Sequence, residues 1–406
     1  MQIDFNTLII PLSLLGAVLL LGIVSLLILL PRLSRLRRSA RQSVAALEDD
    51  ELVAYPPVSV IVSAIYDAQL LPELLQSLLS QDYPAAMEVI VVSTSENAFA
   101  EATVQQLQAR YTNLYMTFVP DGSRSVSRRK LAITLGIKAA RFDYVLLTQA
   151  ACRIPSPLWL RAMARHFAQG EEVVTGTSLL RTADDAELPS RTTAFDRERS
   201  QVQYLAAALR GKMFRADACN MGYAKRLFMA KNGFSEALSM ENGDDDVFVD
   251  SLSRKKRVGA ELSEASRVIS VVHSIKDAHI REKISRRFTL SHVRRGTLRL
   301  WAFLSWTWAL MWLCGLGAIA SVLPWGRWEL TLSNWLLPIG AAVAVALLLT
   351  AACVPVMVSW RKTALTLGER PLCFTAPWLL LWHPLYTLRT RLRSRKDVHD
   401  YTWQSL

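Results

Sequence analysis

The chain has 406 residues, of which 51% are hydrophobic and 20% charged, with a mean hydropathy of +0.20. That balance excludes a disordered chain and a small disulfide scaffold, and with twelve tryptophans it places part of the chain in lipid. The formal net charge of +12 suits nucleic acid, an acidic substrate or an anionic membrane, and the placement of the charges decides among them.

Leu8 to Leu30 runs without a charge, long enough at helical rise to cross a hydrocarbon layer. Asp4 precedes the run and Pro31 follows it, which is not the pattern of a cleaved signal peptide. Arg32, Arg35, Arg37, Arg38 and Arg41 follow with no acid among them, so the positive-inside bias puts the next domain in the cytoplasm. The expected order is an anchor over 1–31, a basic juxtamembrane linker over 32–55 and an α/β domain from residue 56.

From there short β-branched runs alternate with amphipathic stretches. Val58–Ser63, Met87–Ser93, Leu114–Val119 and Tyr144–Thr148 read as strands; Leu70–Ser80, Phe99–Arg110, Arg128–Ala140 and Pro157–Phe167 read as helices. The alternation predicts a doubly wound α/β sheet, whose ligands sit beyond the carboxyl ends of the strands. Neither GxGxxG nor GxxxxGK[ST] occurs at those ends, so dinucleotide and P-loop readings are weak. The five cysteines form no CxxC pair, and the six histidines have no metal-ligand spacing.

Residues 271–300 are expected to be interfacial, acceptor-side helices. Trp301–Leu323 and Leu330–Trp360 read as two more spans within 301–362, flanked by Arg294, Arg295 and Arg299 on one side and by Arg361 and Lys362 on the other. In 363–406 the apolar run Pro371–Leu388 carries Pro377, His383 and Pro384 and precedes a basic tail, so it reads as interfacial or re-entrant rather than as a fourth span. The two Arg-rich flanks, 32–41 and 389–396, hold ten positive charges. The charge is therefore a matter of membrane topology, and nucleic acid is not an expected partner. A multi-pass inner-membrane protein with its α/β domain in the cytoplasm follows.

Several segments recur in a fixed order. They are Pro57–Ala64, Gln81-Asp-Tyr-Pro84, Glu88–Val92, Arg129–Ala140, Val145–Thr148, Asn220–Phe228, Asn232-Gly-Phe234, Gly243-Asp-Asp-Asp-Val-Phe-Val249 and Arg286-Arg-Phe288. On these the chain resembles the inverting family 2 glycosyltransferases with a GT-A, Rossmann-like fold over about residues 56 to 300. The resemblance implies a cytoplasmic GT-A domain over 56–270 beside α-helical membrane segments. It also implies transfer of a sugar from a nucleotide donor, a UDP-sugar above all, to a lipid-linked or membrane-proximal acceptor.

Such chemistry needs the departing diphosphate neutralised and a base for the acceptor hydroxyl. The resemblance implies Mg2+ or Mn2+ held by Asp-x-Asp after the fourth strand, where this chain has Gln149 and Ala151. An amide oxygen is a weak ligand and a methyl group is none, so a normal metal site is not expected there. The donor side departs elsewhere too. Asp67 follows the first strand, and Thr94 and Glu96 follow the second in place of an earlier acid. Asp245 is the implied base, flanked by Asp244 and Asp246, whose like charges would shift its proton affinity. Read from the residues alone, three acids at a helix start also serve the helix N-terminus.

Lys283, Arg286 and Arg287 occupy the family's Gln-x-x-Arg-Trp place and, with Arg129 and Lys130, are expected on the donor diphosphate; solvated or membrane-surface basic residues are the alternative. Asn220 falls in the implied acceptor-side segment. Two functional classes stand at this point: an active transferase, and a catalytically silent binding subunit beside an active paralogue.

Overall fold

The computed structural model describes residues 5–49, 53–66, 68–120, 127–237, 240, 242–253, 256–323, 332–372 and 374–394. It divides into two units, one of Met1–Arg35, Gly296–Leu365 and Arg370–Leu392, the other of Leu36–Arg295, Thr366–Glu369 and Arg393–Leu406.

The first helix, α1 (Phe5–Glu48), does not stop at Pro31. A proline removes one N–H from the ladder, but the arginine-rich segment after it is a good helix former. The stretch expected as a basic linker is thus largely the end of this helix.

The second unit contains β1 (Val58–Ala64), α2 (Leu71–Leu79), β2 (Met87–Thr94), α3 (Ala98–Gln108), β3 (Leu114–Val119), α4 (Arg128–Ala139) and β4 (Tyr144–Gln149). Then come β5 (Cys152–Arg153), α5 (Trp159–Ala168), β6 (Val173–Thr175), β7 (Ser178–Arg181), α6 (Arg191–Ala208), β8 (Met221–Ala224), α7 (Lys225–Ala230), α8 (Val247–Ser253), β9 (Val258–Ala260), β10 (Val268–Val271) and α9 (Ile275–Thr289). Seven strands form a sheet in the order β3-β2-β1-β4-β8-β6-β9, and three form a smaller sheet, β5-β10-β7. β1 to β4 are mutually parallel, whereas β8 runs antiparallel between β4 and β6.

Every residue of β1 is buried, as a strand covered by helices on both faces requires. α4 lies close on this sheet: a Cβ on Gly136 would come within 2.4 Å of Ile61 Cγ2. That approach fixes the start of α4, and with it Arg129, relative to the sheet. β4 leaves the large sheet through Ala150 and Ala151 and enters the small one. Ala150 N donates to Ser63 O at 3.0 Å, and Val271 N to Ala151 O at 2.9 Å.

α5 carries a buried charge cluster. His166 Nε2 meets Glu261 Oε2 at 3.0 Å, Nδ1 faces Glu171, and Arg165 Nη2 pairs with Glu261 at 3.1 Å. Burial alone lowers the imidazole pKa, but hydrogen bonds to the two carboxylates outweigh it and raise it to about 9. Burial raises Glu261, and its bond to His166 outweighs that, bringing it down to about 2. The His166 contribution to stability is therefore complete below its unfolded value of about 6.5 and is lost as pH rises through about 9. The Glu261 contribution is complete above its unfolded value of about 4.3 and is lost as pH falls through about 2. The thermal midpoint is expected to drop between pH 6.5 and 9 by clearly more in the wild type than in His166→Gln, measured by the near-ultraviolet melt.

In the first unit α10 (Arg295–Ala320) and α11 (Leu332–Leu367) join the start of α1, and among the described residues three helices are long and apolar enough to cross a membrane. Val18, Ser25 and Leu29 of α1 are buried while Leu12, Leu20 and Leu27 are exposed, a helix with one packed face and one exposed apolar face. Small residues permit close packing: a Cβ on Gly22 would lie 3.5 Å from Ala352 Cβ and 3.7 Å from Met311 Sδ. α12 (Ala376–Ser394), which covers most of the expected interfacial segment, is not among the three; its Trp378 ring lies 4.9 Å from that of Trp312. The expected loop around Arg327 and Glu329 lies outside the described residues.

Candidate active site

Three elements of the α/β unit bring charged side chains together. Arg129, in the first turn of α4, approaches Asp244 Oδ2 with Nη2 at 2.9 Å, but out of hydrogen-bonding alignment. Gly243, at φ +112°, turns the chain into the three aspartates, all of which are buried. From α9, Arg286 Nη2 lies 3.8 Å from Asp245 Oδ2.

The aspartates differ in how they are held. Asp246 Oδ1 accepts from Val247 N at 2.6 Å, and its Oδ2 accepts from Thr289 Oγ1, so it closes the start of α8 onto the end of α9. Burial, before any charge, raises its pKa, and these bonds lower it only in part. The Asp245 backbone carbonyl accepts from Ala216 N at 2.7 Å. Its carboxyl is pushed well above the usual range by burial, then by Asp246 and Asp244; Arg215 and Arg129 pull the other way. Neither carboxylate oxygen of Asp244 has a hydrogen bond among the described residues. Burial lowers the Arg129 pKa, and Asp244 and Asp245 outweigh it and raise it. The Cys219 thiol and Tyr66 also act on Arg129, placing β1's end and the 217–220 turn near the same guanidinium.

The other expected donor-side groups take distinct positions. Gln149 Nε2 donates to Ala218 O at 3.5 Å, and Ala151 is tied through its carbonyl to Val271. Thr94 ends β2 half-buried and Glu96 is exposed in the turn that follows; Asp67 lies outside the described residues. Lys130 is buried and donates to the carbonyls of Ala237 and Met240, so it anchors the segment leading into the aspartates. Lys283 Nζ donates to Asp196 Oδ2 at 2.6 Å, which also meets His279 Nε2 at 3.1 Å. Burial lowers the Lys283 pKa, partly offset by Asp196. Arg287 is half-buried on α9.

Asn220 is fully buried and knits three segments: Oδ1 accepts from Trp159 Nε1 at 3.0 Å, and Nδ2 donates to Thr177 O at 2.9 Å and Ser266 O at 2.7 Å. Its side chain is spent on the fold.

Groups that no motif announced complete the site. Glu282 takes Arg197 at 3.4 Å, Arg215 at 3.6 Å and Arg286, and so connects α6, the 211–217 segment and α9. Its i,i+4 spacing to Arg286 was visible in the sequence; its long-range partners were not. Arg215 also donates to Ser200 Oγ at 2.7 Å and lies over the Tyr204 ring.

A divalent cation at the end of β4 does not fit these residues. Gln149 offers a single neutral amide oxygen, Ala151 only a carbonyl that already accepts from Val271 N, and among the described residues no three His, Cys, Asp or Glu side chains gather as ligands.

The parallel β3-β2-β1-β4 order, the antiparallel β8 beside it and the departure of the chain into a second small sheet after β4 define a GT-A-like domain. Residues 56–245 match the family profile described as glycosyltransferase like family 2, and this segment is a domain of that kind. No curated protein matches the chain. Among solved structures, the mannosyltransferase PcManGT from Pyrobaculum calidifontis, in complex with GDP-Man and Mn2+, is 17% identical with a TM-score of 0.48, covering 91% of this chain and 99% of that one. TarS from S. aureus with UDP-GlcNAc is 12% identical at a TM-score of 0.41, covering 81% and 92%. Glucosyl-3-phosphoglycerate synthase from Mycobacterium tuberculosis, with Mn2+, UDP and glucosyl-3-phosphoglycerate, is 11% identical at 0.40, covering 58% and 80%.

Proposed function

We propose that the protein is a membrane-bound inverting glycosyltransferase that moves a sugar from a nucleotide donor, a UDP-sugar first among them, to a lipid-linked or membrane-proximal acceptor. One observation carries this reading: Arg129 and Arg286 flank the buried carboxylates of Asp244 and Asp245, and each guanidinium keeps buried N–H groups with no hydrogen-bond partner among the described residues. Unpaired buried donors are costly, and diphosphate oxygens would satisfy them.

Asp245 takes the proton of the acceptor hydroxyl as that oxygen bonds to the anomeric carbon. The bond from that carbon to the diphosphate oxygen breaks, and its electron pair leaves with the nucleoside diphosphate, inverting the centre. Arg129 and Arg286 offset the developing charge, with no step assigned to a metal ion. The α/β unit faces the cytoplasm of the inner membrane, on the strength of the arginine flanks.

A second reading, a silent scaffold beside an active paralogue, is favoured by Gln149 and Ala151, which leave the end of β4 without acid ligands. A transfer assay separates the two. Membranes containing the protein are given radiolabelled UDP-sugars and GDP-sugars, and label is expected in the lipid extract from one donor. Label in no fraction above that of membranes lacking the protein, with every donor tried, supports the scaffold.

A further inference from the structure

A cavity of about 500 Å3 opens at the carboxyl side of β7 and β10, next to the turn from β1 into α2. Its walls include Gln69, Leu70, Asp184, Glu187, Val272 and His273, and none of its lining residues is a lysine or arginine. The amide of Val271 is bonded to Ala151 O, so this wall adjoins the turn that follows Gln149. The carboxylates are fixed in place: Asp184 Oδ1 accepts from Ala186 N at 3.2 Å, and Glu187 Oε2 accepts from Ile275 N at 3.0 Å. Each retains acceptor capacity, because an ionised carboxylate takes about four hydrogen bonds.

We infer that this cavity binds the sugar end of the acceptor, an uncharged saccharide. Hydroxyl groups donate to fixed carboxylates, while Leu70, Val271 and Val272 offer an apolar wall to the ring C–H face, the mixture small-molecule pockets of this size use. A phosphate is disfavoured by two acids with no cation in the lining. A metal ion is disfavoured because no three ligand side chains gather among the described residues. The role as acceptor site rests on the transferase reading; the binding does not need turnover.

The test uses the full chain in detergent and saturation-transfer NMR with methyl glucoside, methyl N-acetylglucosaminide and glucose 6-phosphate. Both glycosides, or one of them, are expected to show transfer and the phosphate none. Ala186→Trp, on the exposed rim, and Val272→Trp, on the wall, each fill the cavity and are expected to weaken binding at least about tenfold; Asp184→Ala is expected to weaken it about threefold or more. Val272→Trp carries a folding risk, which Ala186→Trp avoids. No glycoside signal, unchanged binding in Ala186→Trp, preference for the phosphate, or displacement of the glycoside by Mn2+ each overturns the proposal. A protein that binds glycoside yet transfers nothing from any donor defeats the transferase reading and not this one.

Discussion

Asp245→Asn is expected to lower sugar transfer by about 10²–10⁴-fold while nucleotide affinity stays within about threefold, the range for removal of a positioned general base. The substitution preserves shape and removes only the group that, in the proposed mechanism, accepts the proton. Burial and the neighbouring Asp246 and Asp244 hold the Asp245 carboxyl well above the usual range, which in the proposed mechanism strengthens it as a base and is expected to set the acid limb of the pH–rate profile. The rate is expected to fall as pH drops through that raised value, and single-turnover measurements across pH will show the limb in the wild type and its absence in residual Asn activity. The same shift predicts a gain in stability. A carboxyl raised in the folded state is most favourable while protonated, so ionised Asp245 costs stability as pH rises past its unfolded value of about 3.9. Asp245→Asn is therefore expected to melt higher than the wild type at alkaline pH, where a catalytic loss caused by misfolding would melt lower.

Asn220→Ala is expected to destabilise the α/β unit by about 3–5 kcal/mol, one of the largest single-residue effects available in it. Truncation takes from Trp159 Nε1 and Ser266 O the partner that holds them at 3.0 and 2.7 Å and leaves Thr177 O with Val268 N alone, in a place where Asn220 is buried from solvent. The site suffers with the fold, because Asn220 closes the turn that begins at Asp217, whose Oδ1 holds Cys219 N at 3.0 Å and whose Oδ2 holds Ser178 N at 3.1 Å. A resemblance-based acceptor role predicts instead a raised KM for acceptor at unchanged Tm. Thermal melts and acceptor titrations of the same variant, taken below its midpoint, distinguish the two accounts.

The first half of the sheet was legible because β1, β2 and β4 are buried runs of β-branched residues, which an amino-acid pattern declares without knowledge of neighbours. Their expected bounds and the observed ones differ by one residue at most at either end. β5 to β10 have two to four residues each and pair across long sequence distances, so no local period marks them. The continuation of α1 through Pro31 was hidden by reading a proline and a basic run as a boundary, although a helix in contact along one face tolerates one missing hydrogen bond.

At the site, the aspartate run and Arg129 were visible as residues, while their pairing came from the close approach of α4 at Gly136 and the left-handed turn at Gly243. Lys130 and Lys283 read as diphosphate ligands because a lysine in a motif advertises charge. Their partners, the carbonyls of Ala237 and Met240 and the carboxylate of Asp196, are set by tertiary contacts more than eighty residues away. The contacts of Asn220 were hidden in the same way: its three partners belong to segments that only the folded sheet brings together.

The proposed mechanism requires a nucleoside-diphosphate cleft that works through Arg129 and Arg286 in place of a cation held at the end of β4. Titration of the full chain with UDP in a calorimeter, once with EDTA and once with Mn2+, tests it most directly. Saturable binding is expected in both, with affinities within about threefold of each other. Absence of binding in both conditions, or binding that appears only with Mn2+, would contradict it.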